Sequence, residues 1–273
     1  MKIAFWSSVR GGDAGVTTNT ACMAAMMTFY SGNKNMLLEN HYSLRNIGDI
    51  LLSPDRIECL REQGHYYHKY GMEHLLKELH SGNLGHKVVR QTAIPLLFDN
   101  LFYLPQSYIV NHDVFEYEFE LVRKSLFQCL EDFSDILFID TETNRNLSSA
   151  GILSEADIVV VNLIQNPEMI ADFFENYHMG REKMLFLIGK YQQEHAWNLR
   201  RICYRFHIPR ERIGVVPYHM ELEEAMWNGR LLQFLNRNSS GKTDKETGYL
   251  MRQLKYGSAM LHNQIHILRS QKG

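Results

Sequence analysis

The amino-acid sequence predicts an α/β protein built on a doubly wound, mostly parallel sheet. Short apolar segments alternate with segments whose apolar residues recur at helical spacing, an order typical of a parallel sheet with helices on both faces. Several apolar segments are continuous runs, such as Ile136–Ile139 and Ile158–Val161, and such runs are typical of strands buried on both faces. The length of 273 residues suits one large domain, or a domain with a small appendage.

Each predicted element follows from this alternation. Strands are predicted at Ile3–Ser7, Met36–Glu39, Leu101–Leu104, Ile136–Asp140, Ile158–Leu163, Met184–Ile188 and Ile213–Val216. Helices are predicted at Thr17–Tyr30, Pro54–Glu62, Met72–His80, Val114–Asp132, Pro167–Tyr177, Glu194–Phe206, Leu222–Asn228 and from about Thr243 to Leu268. The polar run Asn236–Lys242 predicts a linker, so that residues 1–236 form the main domain and residues 237–273 comprise the linker and a C-terminal helix.

The composition excludes several classes of protein. The formal net charge is −2, so that any contact with nucleic acid or membrane must come from a local patch. The four cysteines are far apart and fit a reduced, cytoplasmic protein better than a disulfide framework. The sequence contains no apolar run long enough to predict a transmembrane helix.

The segment between the first strand and the first helix carries the clearest chemical signal. Three glycines precede two threonines that open an Ala/Met-rich helix. In such a strand–loop–helix unit, backbone N–H groups and a helix N-terminus surround phosphate oxygens. A Walker A loop ends Gly-Lys-Thr, whereas this segment reads Gly15, Val16 and Thr17. The sequence therefore predicts a phosphate-binding loop without its main positive charge, and a ligand-free Gly-rich turn is the alternative.

Four further segments, in order, complete a resemblance to the ParA/MinD family of P-loop ATPases. They resemble the family's second strand, its strand ending Leu-Pro, its Walker B strand and its C-terminal Ile-Pro…Glu-Ala…Gly segment. In this sequence they are Leu37–Asn46, Asn100–Pro105, Asp135–Thr141, and Val215–Tyr218 followed by Glu224, Ala225 and Gly229. With the loop, the resemblance spans residues 2 to about 235 and implies the P-loop NTPase fold.

The resemblance implies roles for individual residues. Glu39 and His41 stand where the family has two aspartates, the second of which helps to position the attacking water, so they are the expected catalytic positions. Thr17 and Asp140 are the expected Mg²⁺ ligands. The expected nucleotide-binding residues are Arg10, Gly11, Gly12, Asp13, Ala14, Gly15, Val16, Thr17, Thr18 and Pro217.

The departures from the family pattern predict a degenerate ATPase. Val16 replaces the loop lysine, and Gly189 stands where the family often has an asparagine that reads the base. Loss of the lysine–phosphate contact removes a charge-assisted hydrogen bond worth a few kcal/mol. We therefore expect weak binding of ATP and Mg²⁺ with slow or no hydrolysis. In the family a second lysine reaches the nucleotide of the partner subunit, and it falls at Arg10 or Gly11 of this sequence, where Arg10 would keep the positive charge. The resemblance therefore implies a homodimer.

An altered Walker A loop is also a mark of the TadZ/CpaE pilus-localisation group, which this chain resembles within the family. That resemblance implies a localisation or assembly factor for Flp/Tad pilus or secretion machinery, with a protein partner. The alternatives are an active ParA-type partitioning ATPase that binds DNA nonspecifically and a nucleotide-free structural relative.

Two local features bear on the partners. A group of arginines could contact the phosphates of a nucleic acid: Arg200, Arg201, Arg205, Arg210 and Arg212. Acidic residues nearby favour an ordinary charged helix face instead. The C-terminal helix has an apolar stripe with cations nearby, which allows peripheral contact with a membrane surface. Docking of that helix on its own domain or on a partner is the favoured interpretation.

Overall fold

The computed structural model describes residues 1–9, 14–42, 46–58, 70–97, 99–106, 111–141, 146–177 and 180–272. Its centre is an eight-stranded sheet in the order β3-β4-β2-β5-β1-β6-β7-β8. The strands are β1 (Lys2–Trp6), β2 (Asn35–Asn40), β3 (Ile94–Leu97), β4 (Leu101–Leu104), β5 (Ile136–Thr141), β6 (Ile158–Leu163), β7 (Met184–Tyr191) and β8 (Ile213–Pro217). The β3–β4 pair is antiparallel and the other neighbouring pairs are parallel, which confirms the predicted fold class.

Helices cover both faces of the sheet. In chain order they are α1 (Val16–Ser31), α2 (Ile47–Leu51), α3 (Met72–His80), α4 (His86–Thr92), α5 (His112–Phe133), α6 (Leu147–Glu155), α7 (Pro167–Asn176), α8 (Leu199–Phe206), α9 (Met220–Trp227), α10 (Leu231–Ser240) and α11 (Lys245–Lys272). Residues 54–58 are also helical, and short 3₁₀ turns lie at Arg181–Lys183 and Arg210–Arg212. One face carries α1, α2, α9, α10 and α11, and the other carries α3 to α8.

Alternate side chains of the central strands pack into the two parts of the core, one on each face of the sheet. In β1, Ile3 and Phe5 pack with α1 and α11, whereas Ala4 and Trp6 pack on the opposite face. Because helices cover both faces, a central strand has no side that tolerates exposed polar residues. The continuous apolar runs in the sequence are a direct consequence of this double burial.

The described part of the chain contains every predicted strand and one strand that was not predicted. The additional strand, β3, is short, lies at the sheet edge and contains Pro95. Proline lacks the N–H that a central strand donates, so an edge position is where a strand tolerates it. The same proline and the short length hide this strand from a pattern search.

Several helix predictions need correction. The helix expected from Glu194 begins at Leu199, because the Asn198 side chain caps it by accepting a hydrogen bond from the Arg201 N–H at 3.0 Å. The helices α2, α4, α6 and α10 were not predicted. In the helix expected at Pro54–Glu62, residues 54–58 are helical and residues 59–62 lie outside the described residues.

The predicted linker at Asn236–Lys242 is wrong for most of its length, because α10 continues through Ser240. The following helix, α11, buries its apolar stripe against β8 and α1, with Leu250, Leu254 and Leu261 fully covered. The stripe therefore contacts the chain's own core, which removes the apolar face that membrane contact would use. The domain boundary at residue 236 stays a prediction. Within the described ranges, every helix is too short or too polar to cross a bilayer.

Candidate functional site

The Gly-rich segment connects the end of β1 to the start of α1, at the carboxyl edge of the sheet. Arg10, Gly11, Gly12 and Asp13 lie outside the described residues. Ala14 is buried, and Gly15 adopts a left-handed conformation with φ of 66° at the N-cap position. Glycine adopts this conformation without steric cost. The first turn of α1 contains no acidic residue and no side-chain cap, so its backbone N–H groups form the positive end of the helix.

A buried amide network anchors this helix start to the sheet. The Asn19 side-chain N–H₂ donates to Asn162 Oδ1 at 2.7 Å and lies 3.4 Å from the Ala14 carbonyl oxygen. In turn, the Asn162 N–H₂ donates to the carbonyl oxygens of Trp6 and Val160, each at 3.1 Å. The network ties α1, β1 and β6 together. It was missed in the sequence, although an asparagine inside the apolar run 158–163 is a usable signal for a buried polar contact.

Gly189 provides the space in which the loop approaches β7. A Cβ atom at this position would lie 2.3 Å from the Ala14 carbonyl oxygen, well inside van der Waals contact. The sequence marks Gly189 as the position where the family often has a base-reading asparagine. In this structure the loop backbone takes up that space, so no side chain fits there.

A cleft between the start of α1 and the end of β8 is nearly filled. Its lining includes Thr18, Lys190, Pro217 and Tyr218. Its volume is about 10 Å³, close to what one water molecule needs. A nucleotide base would enter this cleft only after the lining side chains had moved.

Val16 is the first residue of α1, where the family resemblance leads us to expect a lysine. Its side chain is half-buried and packs against the core cluster around α1. An apolar side chain packed in this way contributes no charge to the phosphate side of the loop. Thr17 and Thr18 follow in the same first turn and are half-buried.

Glu39, at the end of β2, is almost completely buried and contacts three hydrogen-bond donors. Its carboxylate accepts hydrogen bonds from the N–H groups of Ile47 and Gln106 and from the Tyr103 hydroxyl. Burial raises the pKa of Glu39 from 4.5 to about 7, against the opposing effects of His41 and the Tyr103 hydroxyl. Because Ile47 is the first residue of α2, the described contacts make Glu39 the acceptor that holds the start of α2. Its predicted catalytic role stays a prediction.

His41 lies just beyond β2 and faces Asp140, near the end of β5. His41 Nε2 is 3.1 Å from Asp140 Oδ2, and the two side chains are 5% and 2% exposed. The two atoms are at ion-pair distance, although their geometry is not that of a well-directed hydrogen bond. Asp140 is paired in register with Glu39 across β2 and β5 and with Phe5 across β1 and β5. The structure therefore brings the two expected catalytic positions and one expected metal ligand into one buried group.

The described residues do not fit the magnesium site that the family resemblance implies. A Mg²⁺ ion keeps several waters and needs an accessible carboxylate at its edge. Asp140 is instead buried, and its Oδ2 atom lies 3.1 Å from His41 Nε2. No group of three or more potential metal ligands occurs within the described ranges. Thr17, the other expected ligand, is half-buried in the first turn of α1.

Comparisons with solved structures agree with this architecture. A ParA family ATPase of Chlorobium tepidum is similar with a TM-score of 0.69 and 10% identity, over 94% of this chain and 98% of that one. A plasmid partition protein of Borrelia burgdorferi bound to AMPPNP has a TM-score of 0.63 and 15% identity, over 96% of this chain and 98% of that one. The MinC:MinD cell division complex of Aquifex aeolicus has a TM-score of 0.62 and 16% identity, over 96% of each chain. No protein-family model and no curated protein sequence matches the chain. At these identities the comparisons establish the fold, and the chain has the fold of the ParA- and MinD-type ATPases.

Proposed function

We propose that this chain is a degenerate ParA/MinD-like ATPase that binds ATP weakly, hydrolyses it slowly or not at all, and acts as a localisation or assembly factor. The observation that carries the proposal is the altered charge at two described positions of the site. Val16 occupies the lysine position at the start of α1, and His41 is directed at Asp140. Phosphoryl transfer depends on positioning and on neutralising phosphate charge, and both changes act on those requirements.

The described backbone at the start of α1 supports weak binding of a nucleotide. The left-handed Gly15 and the uncapped start of α1 direct N–H groups towards the loop. Similar proteins include one solved with AMPPNP, which supports a nucleotide as the ligand. The nearly filled cleft beside Pro217 adds a cost, since side chains must move before a base enters. Phosphate contacts would therefore contribute more of the affinity than base contacts.

A thermal shift experiment tests the nucleotide site. Even a millimolar site would stabilise the native state by roughly 1 kcal/mol at ~5 mM ATP, so a small rise in melting temperature is expected. Gly15→Asp should abolish the rise, because it adds a negative charge where phosphate would bind. Gly32→Asp is the matched control, since Gly32 ends the same helix with φ of 65° and open space around it. A rise that survives Gly15→Asp would contradict nucleotide binding at this loop.

A phosphate-release assay tests the degenerate state. We expect turnover far below the ~1 s⁻¹ at the low end of ordinary enzymes. Vigorous hydrolysis by the wild-type chain would exclude a degenerate ATPase and favour an active partitioning enzyme.

An exposed groove between α3 and α5 supports a protein partner. Val114, Tyr117 and Leu121 lie on one face of α5 at spacings of three and four residues and are 49%, 66% and 53% exposed. The α3 side adds Glu73, Lys77 and His80, and the α5 side adds Asp113 and Glu118. The groove therefore fits an amphipathic helix whose apolar stripe is flanked by charges of both signs. Through its resemblance to the TadZ/CpaE group, we place that helix in a component of Flp/Tad pilus or secretion machinery.

Localisation of a fluorescent fusion in the native cell tests the partner surface. Leu121→Lys should disperse any focus that the wild-type protein forms, because it places a charge in the groove. Leu84→Lys is the matched control, since Leu84 is 64% exposed and lies outside the groove. A focus that persists in Leu121→Lys, or a wild-type protein that is uniformly distributed, would contradict the localisation role at this surface.

A partitioning ATPase that binds DNA is the second candidate, and α8 is the observation that favours it. Arg200, Arg201 and Arg205 are exposed together with Tyr204, which is 86% exposed, and α8 contains no acidic residue. Arginines with an exposed aromatic ring suit phosphate and base contacts. ATP turnover stimulated by DNA and lost in Arg200→Glu would favour this candidate over the first.

A further inference from the structure

The contact between His41 and Asp140 lies at the centre of the sheet's carboxyl edge. Asp140 ends the apolar run of β5, and its register partners are Glu39 on β2 and Phe5 on β1. His41 follows β2 by one residue, so the backbone of β2 fixes the imidazole beside the carboxylate. The His41 N–H also donates to the Gln106 side-chain oxygen at 3.1 Å, which holds this backbone in place.

Two buried carboxyl groups at one edge need compensation. Burying a carboxylate is costly unless a counter-charge or hydrogen-bond donors accompany it. Glu39 has its three donors, whereas Asp140 Oδ2 faces the imidazole. The position beside Asp140 at which a cation would reduce the carboxylate charge is therefore filled by a side chain of the same chain.

We propose that His41 takes the place of a divalent cation at Asp140, so that the native fold and nucleotide binding need no Mg²⁺. The nucleotide part of this inference rests on the proposed function, whereas the fold part does not. His41→Asp would recreate a need for a cation that the natural histidine removes.

The first test uses no nucleotide. The melting temperature of the wild-type chain should be unchanged, within about 1 °C, by Mg²⁺ or Mn²⁺. His41→Asp should lower the melting temperature in EDTA, because it places a second carboxylate against Asp140. Added Mn²⁺ should then restore much of the loss, because the ion binds the native pair.

Two variants control this test. His41→Asn removes the imidazole without adding a second carboxylate, so its melting temperature should fall and its response to Mn²⁺ should be much smaller than that of His41→Asp. The double variant His41→Asp/Asp140→Asn has one carboxylate at the pair and should lose most of the Mn²⁺ response. A wild-type chain stabilised by Mn²⁺, with the effect abolished by Asp140→Asn, would overturn the inference. So would a folded His41→Asp variant that Mn²⁺ does not rescue.

The second test separates this inference from the proposed function. We expect the ATP-dependent thermal shift of the wild-type chain to be equal in EDTA and in Mg²⁺. A shift that requires Mg²⁺ would overturn the inference and leave weak nucleotide binding intact. No shift under either condition would overturn the proposed function and the nucleotide part of the inference with it. Because this arm uses the wild-type chain, it decides the nucleotide claim even if His41→Asp fails to fold.

Discussion

The two sides of the candidate site are built from different kinds of side chain. Where β1 and β6 meet α1, the buried polar groups are neutral amides, and Asn19 and Asn162 connect the helix to the strands through short hydrogen bonds. Where β2 meets β5, the buried groups are ionisable, and Glu39, His41 and Asp140 are adjacent. The amide side sets the position of the loop, whereas the ionisable side would set the charge around a nucleotide.

This difference suggests that one set of residues in this chain fixes the position of the loop and a different set fixes the charge around a nucleotide. A neutral hydrogen-bonded network stabilises the loop position whether or not a ligand binds. The ionisable side carries Glu39 and His41, the substitutions at the two aspartate positions of the family pattern. Changes to the amide side should therefore alter stability and loop position together, and changes to the ionisable side should alter pH and ligand responses.

The largest expected effect comes from filling the space between the loop and β7. Gly189→Ala would place a Cβ atom 2.3 Å from the Ala14 carbonyl oxygen, and a backbone atom moves only if the loop moves. We expect a loss of about 3–4 kcal/mol in the free energy of unfolding, measured by urea denaturation. Gly32→Ala is the control: its φ of 65° costs about 1 kcal/mol, and nothing lies within contact of the new Cβ. Equal losses in the two variants would show that loop contact at Gly189 is unimportant.

The next effect is a pH dependence on the ionisable side. The pKa of Glu39 is raised by burial from 4.5 to about 7, so the native state holds a proton that the unfolded chain releases. The contribution of this proton to the free energy of unfolding is fully present below pH 4.5 and is lost as the pH rises through about 7. The contribution is roughly 3 kcal/mol at most. Unfolding free energies measured from pH 4.5 to pH 8 should show this decrease in the wild type and not in Glu39→Gln. Parallel curves for the two proteins would assign the pH dependence to other groups.

A smaller effect is expected on the amide side. Asn19→Leu leaves Asn162 Oδ1 without its 2.7 Å donor, and an unsatisfied buried acceptor costs about 2 kcal/mol. The ATP-dependent thermal shift should fall as well, because the same side chain lies against the Ala14 carbonyl in the loop. Asn176→Leu on α7 is the control, since Asn176 is exposed and bonds to Asp172 on the same helix. A nucleotide response that is normal in Asn19→Leu would separate the amide network from loop function.

The fold could be predicted from the sequence to a greater extent than the site. Central strands buried on both faces leave apolar runs, whereas an edge strand with Pro95 leaves little signal. The loop was predicted because its glycines and threonines are adjacent in sequence. The contact between His41 and Asp140 depends on the register of β2 against β5, which joins residues far apart along the chain. Sequence spacing indicates that both residues lie at strand ends, but it does not indicate that their side chains face each other.

Restoring the loop lysine should have the smallest effect on stability, and it tests most directly how the two sides of the site differ in function. Val16→Lys restores the missing phosphate cation at the start of α1, where the half-buried side chain can extend towards solvent. A cation at a helix N-terminus is mildly unfavourable, so the loss of stability should be about 0.5 kcal/mol. A charge-assisted hydrogen bond to phosphate is worth roughly 1.5–3 kcal/mol, which corresponds to ATP binding about 10- to 150-fold tighter by calorimetry.

Hydrolysis by Val16→Lys should nevertheless stay far below ~1 s⁻¹, because Glu39 and His41 remain on the ionisable side. Val16→Met is the control: it lengthens the side chain without a charge and should leave ATP affinity unchanged. Rapid turnover by Val16→Lys would mean that the lysine was the only defect and that His41 beside Asp140 does not block catalysis. Tighter binding without turnover would instead place the second defect at β2 and β5, where the histidine and the buried carboxyl groups meet.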